Sequence, residues 1–431
     1  MRTYAKSLEW YARAIKVTPG AAQTMSKQPT KFPLGAYPAF IERGEGSHVW
    51  DVDGNKYVDW ICSLAAVTLG HGNAHVCGAI LDQLVHGICF SLPHPLEAEV
   101  AERMCSIFPC AKDGAVRFVK TGSEADSAAV RIARRYTGRD LIAKCGYLGW
   151  HDWTMVTAPT HPGVPEVLGQ LVREFKYGEV PVFDGLAAIF IEPPLFPPPG
   201  LDVKLYLETL LLAAHAHGAL LIFDEVVTGG RFALGGGQEY FGVTPDLCTF
   251  GKGLANGMPL AGIAGPREIM AGADVISGTF GGETLSLAAC NATLDVYERE
   301  PVITHLWKIG TAFKAGVEAL ILKHALPAEI IGYPVHPKLK WEHSKGLTPC
   351  LSALGANLMM SLFLQEIAER GVMIHGAGDW NVSYAHSEED VADSLAACDA
   401  AFGICAEALA DGKIRERLRG EPIQEGFKVR A

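Results

Sequence analysis

The chain has 431 residues, of which 49% are hydrophobic and 20% are charged. This apolar content supports a large core and excludes a wholly disordered chain, and at roughly 100–200 residues per domain the length allows two to four domains. The formal net charge is −11, from 37 Lys and Arg against 48 Asp and Glu, so no basic stripe is expected to neutralise nucleic-acid phosphates. These numbers predict a large soluble enzyme that does not bind nucleic acid.

Cysteine usage and hydropathy indicate the compartment and argue against a metal site and a membrane span. The 11 cysteines contain no Cys-x-x-Cys pair, and none has further zinc ligands at a suitable spacing, so no metal site is predicted. Free thiols are typical of a reducing, cytoplasmic compartment. The most apolar stretch, residues 207–223, is interrupted by Glu208, His215 and His217, which makes it too polar for a membrane span.

The N-terminal 75 residues predict one helix followed by strands. Residues 1–16 place four apolar side chains on one helical face: Tyr4, Leu8, Tyr11 and Ile15. We expect this helix to dock on its own fold or on a partner subunit, because Glu9 and the lack of a Ser-rich tract argue against a transit peptide. Residues 35–75 carry half-buried strand patterns, with a hairpin turn signal at residues 53–55 (DGN).

From residue 115 onward, short apolar runs alternate with helical patterns. A helix with Ala125, Ala129, Ile132 and Tyr136 on its apolar face follows the first run. Six runs are strand candidates: residues 115–119, 141–144, 187–191, 219–223, 247–250 and 261–264. Strands separated by helices predict a mostly parallel α/β sheet. Longer helical patterns after residue 300 predict a smaller α+β domain, so we divide the chain into an N-terminal segment (1–65), a large domain (66–300) and a small domain (301–431).

Ligands of open α/β sheets bind at the carboxyl ends of the strands, and four features of the sequence follow predicted strands. In residues 121–124 (TGSE) the glycine allows close backbone approach, and the helix N-terminus offers N–H groups to an anion. A plain cap by Ser123 is an equally open interpretation. Asp224, after the strand 219–223, is either a functional carboxylate or half of a structural ion pair.

The other two features are an amine and an aromatic ring. Lys252 lies between two glycines, where a desolvated amine would be a nucleophile capable of Schiff-base chemistry, although a surface lysine is the simpler interpretation. Tyr147 can stack on a planar ring, and His151 near it is interpreted as making a local hydrogen bond. Taken together, an anion cradle, a carboxylate, an amine and an aromatic ring are what a phosphorylated pyridine aldehyde needs.

These residues belong to motifs that resemble class III, fold-type I pyridoxal-phosphate (PLP) aminotransferases, the subgroup of glutamate-1-semialdehyde aminomutase in particular. The motifs are residues 49–55 (VWDVDGN), 122–125 (GSEA), 223–231 (FDEVVTGGR), 242–247 (GVTPDL), 251–253 (GKG) and 278–282 (GTFGG). The resemblance implies an α/β fold-type I PLP transferase with a seven-stranded, mostly parallel sheet in the large domain and a small α+β domain. It covers residues 20–300 well and the remainder loosely.

The resemblance also implies roles for individual residues. Lys252 would hold PLP as a Schiff base and move protons, and Asp224 would pair with the pyridine nitrogen, which keeps the ring an electron sink. Val226 and Tyr147 would lie against the two faces of the ring. Gly122 and Ser123 would bind the phosphate.

Three further residues complete the implied site. Thr279, with Gly278, would reach the phosphate from the neighbouring subunit, which implies a homodimer with shared active sites. Glu192 matches a glutamate that lies near the cofactor in the family.

The sequence departs from the family pattern at five places. Leu148 replaces His, Lys120 replaces Asn, Glu283-Thr284 replaces Asn-Pro, residues 193–196 (PPLF) replace small polar residues, and residues 26–33 lack the substrate-binding arginine. The changes cluster on the substrate side and leave the cofactor residues intact.

We therefore predict transfer of an amino group from an amino-acid donor, glutamate, to a carbonyl acceptor such as a keto- or aldehydo-sugar, a small aldehyde or a keto acid. The alternatives are an intramolecular aminomutase of the glutamate-1-semialdehyde type, a PLP-dependent racemase or epimerase, and a non-catalytic scaffold.

Overall fold

Strands and helices alternate through the central part of the chain. The computed structural model describes residues 2–181, 184–341 and 353–424. The strands are β1 (Ile41–Glu45), β2 (His48–Asp51), β3 (Lys56–Asp59), β4 (Ala115–Val119), β5 (Leu141–Cys145), β6 (Val172–Glu174), β7 (Leu186–Ile191), β8 (Leu220–Asp224), β9 (Leu247–Phe250), β10 (Ala261–Gly265), β11 (Ala328–Ile331), β12 (Lys338–Trp341) and β13 (Val372–Met373).

Seven of these strands form one sheet in the order β4-β10-β9-β8-β7-β5-β6. Strands β6, β5, β7, β8 and β9 run parallel to one another, whereas β10 is antiparallel to both β9 and β4. The mostly parallel sheet predicted from the sequence is therefore confirmed. Strands β7, β8, β9 and β10 are buried along their whole length, as expected where helices cover both faces of a parallel sheet.

Among the described residues, eight helices accompany this sheet in the compact unit that contains residues 74–303. They span Ala74–Leu84, Pro95–Ile107, Gly122–Thr137, Asp152–Met155, Val203–Ala216, Gly236–Phe241, Arg267–Met270 and Thr284–Arg299. In the helix Gly122–Thr137 the predicted face is buried at Ala125, Ala129 and Ile132. Tyr136 was predicted wrongly, because it is 50% exposed and Ala133 takes the buried position in the last turn.

A second compact unit comprises the described residues up to Ala65, Leu69–Asn73 and the described residues from Thr304 onward. Its sheet has the order β1-β2-β3-β13, and β11 pairs with β12. Longer helices dominate its C-terminal part, as predicted: Val302–Lys323, Ala353–Glu369 and Glu388–Asp411. The predicted domain boundaries stay a prediction, and the last of the three segments extends beyond the described residues.

The predicted hairpin turn at residues 53–55 is confirmed, since it joins the antiparallel strands β2 and β3. The Asp51 carboxylate fixes the turn by accepting the N–H of Asn55 at 2.7 Å.

The N-terminal helix spans Ala5–Ala14. On its predicted apolar face Tyr4 is buried, whereas Leu8 and Ile15 are more than 40% exposed.

The described cysteines are all free thiols, seven of them buried. Within the described ranges, no helix combines the length and the apolar character that a membrane crossing requires.

Candidate active site

The carboxyl ends of β4, β5, β7, β8 and β9 lie at the same edge of the sheet, because β10 reverses direction between β9 and β4. Each of these strand ends carries one of the residues singled out from the sequence. Such an edge is where ligands bind in open α/β sheets.

The turn after β4 opens the 16-residue helix Gly122–Thr137, and its cap is Thr121. The Glu124 N–H donates to Thr121 Oγ1 at 3.3 Å, and the Thr121 N–H donates to the Glu124 carboxylate at 2.9 Å. The interpretation of Ser123 as the cap is therefore wrong. Ser123 lies in the first turn instead, where its Oγ accepts the Trp150 N–H at 3.2 Å and keeps its own proton available for an anion.

Gly122 packs against Val226, the residue two positions after the end of β8. A Cβ at Gly122 would lie 3.2 Å from both Val226 methyl groups, which is tighter than ordinary van der Waals contact. The turn after β4 and the residues after β8 therefore form one continuous wall.

Asp224 is the last residue of β8 rather than the residue after it, and it is 4% exposed. Its Oδ1 accepts the Val226 N–H at 2.8 Å. Burial raises the pKa of Asp224 to about 6, against the opposing effects of the Val226 N–H, Lys252 and Thr249. A carboxylate at neutral pH is therefore held in a buried position with a cation nearby.

Lys252 follows β9 and opens a short 3₁₀ turn, Lys252–Ala255. Its φ of 46° lies in the left-handed region, which costs free energy for any residue with a Cβ and is concentrated at functional sites. Burial lowers the pKa of Lys252, while Glu192, Asp224 and Asp126 oppose the shift and Arg231 adds to it. A larger fraction of neutral amine follows, which a nucleophile or proton carrier requires.

The residues that follow β5 and β7 complete the candidate site at this edge of the sheet. Gly146 has a φ of 92°, and a Cβ there would lie 2.8 Å from the Glu192 Cβ. The Glu192 N–H donates to the Cys145 carbonyl at 3.1 Å. Tyr147 is 51% exposed, and its pKa is raised by partial burial and by the carboxylates of Asp126, Asp224 and Glu192, so it belongs to the same cluster.

Two residues singled out from the sequence stand apart from this cluster. Gly278 and Thr279 are exposed, in the loop between the helices Arg267–Met270 and Thr284–Arg299. The Thr279 carbonyl accepts the Cys89 thiol proton at 3.6 Å.

Asp126 is a site residue that the sequence reasoning missed. It is 1% exposed and accepts the Thr249 hydroxyl at 2.7 Å, and burial followed by the negative charge of Asp224 raises its pKa well above the usual value. The signal was its spacing, four residues after Gly122 and three before Ala129, which puts a carboxyl on the buried face of the helix.

Two of the departures from the family pattern are core residues. Leu148 is 1% exposed and belongs to the hydrophobic core that covers the sheet, and Leu195 is 8% exposed. His151 makes the local hydrogen bond expected of it, between its Nδ1 and Ser127 Oγ at 2.7 Å.

Comparison with known proteins identifies the family. The family model for class-III aminotransferases matches residues 33–182 and 170–388. The chain is 32% identical to a 3-aminobutyryl-CoA aminotransferase of Cloacimonas acidaminovorans, over 91% of this chain and 95% of that protein. It is 36% identical to a glutamate-1-semialdehyde 2,1-aminomutase of Methanothrix thermoacetophila, over 72% of this chain and 76% of that protein.

A solved PLP-containing structure shares the fold of this chain. The FumI protein of Sphingopyxis sp. MTA144, determined in its PLP internal aldimine form, superimposes with a TM-score of 0.85 and 25% identity over 94% of this chain and 98% of that one.

Proposed function

The chain belongs to the class III aminotransferases, and on that premise we propose that it moves an amino group between an amino-acid donor and a carbonyl acceptor at the strand ends described above. It is a PLP-dependent transaminase with the fold-type I architecture. The observation that carries the proposal is the contact between Gly122 and Val226, which joins an anion-binding helix end to the segment that holds Asp224.

The residues present fit PLP. The N-terminus of the helix Gly122–Thr137, with the Ser123 hydroxyl, suits the phosphate, because unpaired N–H groups bind anions there without net basic charge. Asp224 suits a protonated pyridine nitrogen, and Lys252 suits the aldehyde. Val226 and Tyr147 supply an apolar and an aromatic surface for the ring, and Glu192 lies beside them.

When bound, PLP supplies an aldehyde that condenses with amines and a pyridine ring that accepts electrons. Asp224 holds the proton of the ring nitrogen, because its carboxylate is ionised above its pKa of about 6. Lys252 would move a proton at the reacting carbon, and burial favours this role because it lowers the pKa of the amine. Tyr147 would cover the ring from the solvent side, because its own side chain is 51% exposed.

The donor and acceptor are part of the proposal. Glutamate is the proposed donor, and the acceptor is a keto- or aldehydo-sugar, a small aldehyde or a keto acid. The relative from Cloacimonas acidaminovorans, matched over nearly its whole length, is named a 3-aminobutyryl-CoA aminotransferase, which adds a 3-aminoacyl thioester to the amino donors worth testing.

The test is to mix purified holoenzyme with L-glutamate and record the cofactor spectrum for the change to the pyridoxamine form. The acceptors named above are then added in turn to find which one restores the starting spectrum. Absence of a half-reaction with any amino-acid donor contradicts the proposal.

An intramolecular aminomutase is the second candidate, and the 36% identity to a glutamate-1-semialdehyde 2,1-aminomutase favours it. This reaction releases no keto-acid co-product. Stoichiometric keto acid in the reaction mixture therefore excludes it.

We also propose a cytoplasmic homodimer with shared active sites. One continuous segment exposes six apolar side chains, by 44–80%: Leu81, Leu84, Val85, Ile88, Phe90 and Leu92. An apolar patch of this kind typically marks a protein interface, and free thiols suit a reducing compartment. Sedimentation of the holoenzyme tests the dimer, and a monomer at micromolar concentration contradicts it.

A further inference from the structure

Two departures from the family pattern, Lys120 and Glu283, contact each other. Lys120 Nζ lies 2.8 Å from Glu283 Oε1, and the two side chains are only 18% and 10% exposed. The family pattern has Asn at both positions, so a charged pair stands where two neutral side chains are expected. Replacing only one partner of such a buried ion pair is destabilising, because the charge of the other partner is left unpaired.

Each partner lies just before the first residue of a helix. The Lys120 N–H donates to the Glu124 carboxylate at 3.0 Å, in the capped turn that carries Gly122 and Ser123. Glu283 caps the helix Thr284–Arg299 by accepting the N–H groups of Leu285 at 2.9 Å and Ser286 at 3.1 Å. The ion pair therefore ties the turn after β4 to the end of the loop that carries Gly278 and Thr279.

Within the loop, the Gly281 N–H donates to the Gly278 carbonyl at 3.1 Å, and the Cys89 thiol donates to the Thr279 carbonyl at 3.6 Å. Residues 278–280 are exposed, and Phe280 is 60% exposed. Gly281 packs on the strand β4, where a Cβ would lie 2.9 Å from the Phe118 carbonyl oxygen. Burial alone would raise the pKa of Glu283, but Lys120 and the helix N–H groups outweigh burial and lower that pKa. The Glu283 carboxylate is therefore charged at neutral pH.

We propose that Lys120 and Glu283 are positioning residues that hold the Gly278–Thr279 loop in place for the cofactor phosphate of the neighbouring subunit. The proposal rests on the proposed function, because it requires the homodimer in which Thr279 reaches across to that phosphate. Its consequence is a link between subunits, since a change in one chain weakens cofactor binding in the site of the other.

The first test measures the dissociation constant of PLP by titrating apoenzyme. Lys120→Met is expected to raise it by about tenfold or more, which corresponds to losing one well-placed interaction. Lys120→Arg is expected to restore most of the affinity. The double variant Lys120→Met/Glu283→Gln is expected to lose no more than the worse single variant, as for two residues that act as a pair.

A matched control separates positioning from general stability. Arg103 pairs with Asp295 of the helix that Glu283 caps, at 2.8 Å and at comparable burial. Arg103→Met is expected to lower the melting temperature of the apoenzyme, as Lys120→Met does, without changing the dissociation constant of PLP. Equal effects of the two variants on that constant would overturn the proposal.

The second test uses mixed dimers in which one chain carries Lys252→Ala, so that only the other chain binds the cofactor covalently. Lys120→Met is placed either in the Lys252→Ala chain or in the chain that holds the cofactor. The proposal expects faster cofactor loss when Lys120→Met is in the Lys252→Ala chain. An equal or larger effect in the opposite arrangement overturns it, and a wild-type monomer or a wild type that binds no PLP would show that the proposed function itself has failed.

Discussion

Thr249 Oγ1 donates a 2.7 Å hydrogen bond to Oδ1 of Asp126, and Thr249 is also the residue of β9 that pairs with Asp224 of β8. Two buried carboxyl groups thus share one neighbourhood. Like charges at such a site cannot both ionise cheaply, and the pKa of Asp126 is raised well above its usual value by burial and by Asp224. Of the two carboxyl groups, Asp126 is therefore the more readily protonated.

This assignment predicts that Asp126→Asn is tolerated and Asp126→Ala is not. An amide resembles a protonated carboxyl group and still accepts the Thr249 hydroxyl, so the free energy of unfolding should change by about 0.5 kcal/mol or less. Alanine leaves the Thr249 donor unsatisfied and should cost about 1–3 kcal/mol. Chemical denaturation at pH 7 measures both, and an equal loss in the two variants would mean that Asp126 is ionised.

Asp224→Asn is predicted to lower activity while stabilising the apoenzyme at high pH. Activity should fall by about 10²–10³-fold, the usual cost of removing one preorganised charge partner. The pKa of Asp224 is raised from 3.8 to about 6, so the folded wild type loses stability as the pH rises through this window. The stabilisation gained by removing the group should therefore be larger at pH 8 than at pH 4.5, by up to about 2 kcal/mol.

Denaturation of wild-type and Asp224→Asn apoenzyme at the two pH values checks the stability, and steady-state turnover checks the activity. Glu225 has a raised pKa of about 7 in the same region but is present in both proteins, so it cancels in the comparison. A difference in stability that does not depend on pH would contradict the prediction.

Ser123 and Thr121 offer a matched pair of hydroxyl deletions in one turn. Ser123→Ala should weaken PLP binding by about 10- to 150-fold, since a hydrogen bond to a charged group is worth about 1.5–3 kcal/mol, and should lower the melting temperature less than Thr121→Ala does. Thr121→Ala removes the helix cap and should cost about 1 kcal/mol of stability, with a smaller effect on PLP. Titration of apoenzyme measures PLP binding, and thermal unfolding measures stability. A larger loss of stability in Ser123→Ala than in Thr121→Ala would mean that Ser123 is the helix cap.

Much of the fold could be predicted from the sequence because buried parallel strands are short, continuous apolar runs. The limits of β4 and β9 follow directly from such runs. The antiparallel direction of β10 could not be predicted, since a strand buried on both faces carries no signal of direction. The three-residue strand β6 was missed because it is too short for a periodic pattern.

The candidate site was predictable in its residue types and less so in its details. Asp224, Lys252 and Tyr147 follow strands, and strand order brings them to one edge. The choice of Ser123 over Thr121 as the cap was wrong because both hydroxyls can cap, although the spacing of Thr121 and Glu124 is that of a capping box. The ion pair of Lys120 and Glu283 joins residues 163 positions apart, a distance over which a single sequence has no pairing signal.

Lys252→Ala is predicted to abolish turnover and the absorbance of lysine-bound cofactor, because Lys252 is the buried amine beside Asp224, whereas the Lys120 amine after β4 is paired with Glu283. Lys204→Ala is the control, since Lys204 is an exposed helix residue of the same compact unit, and it should leave turnover and absorbance unchanged.

Burial lowers the pKa of Lys252, so the rate at which wild-type apoenzyme captures PLP should rise with pH and level off at a lower pH than for a free alkylamine. Stopped-flow absorbance measures that profile. A plateau that coincides with the alkylamine would show that the amine is not desolvated, and retained turnover in Lys252→Ala would refute its assignment.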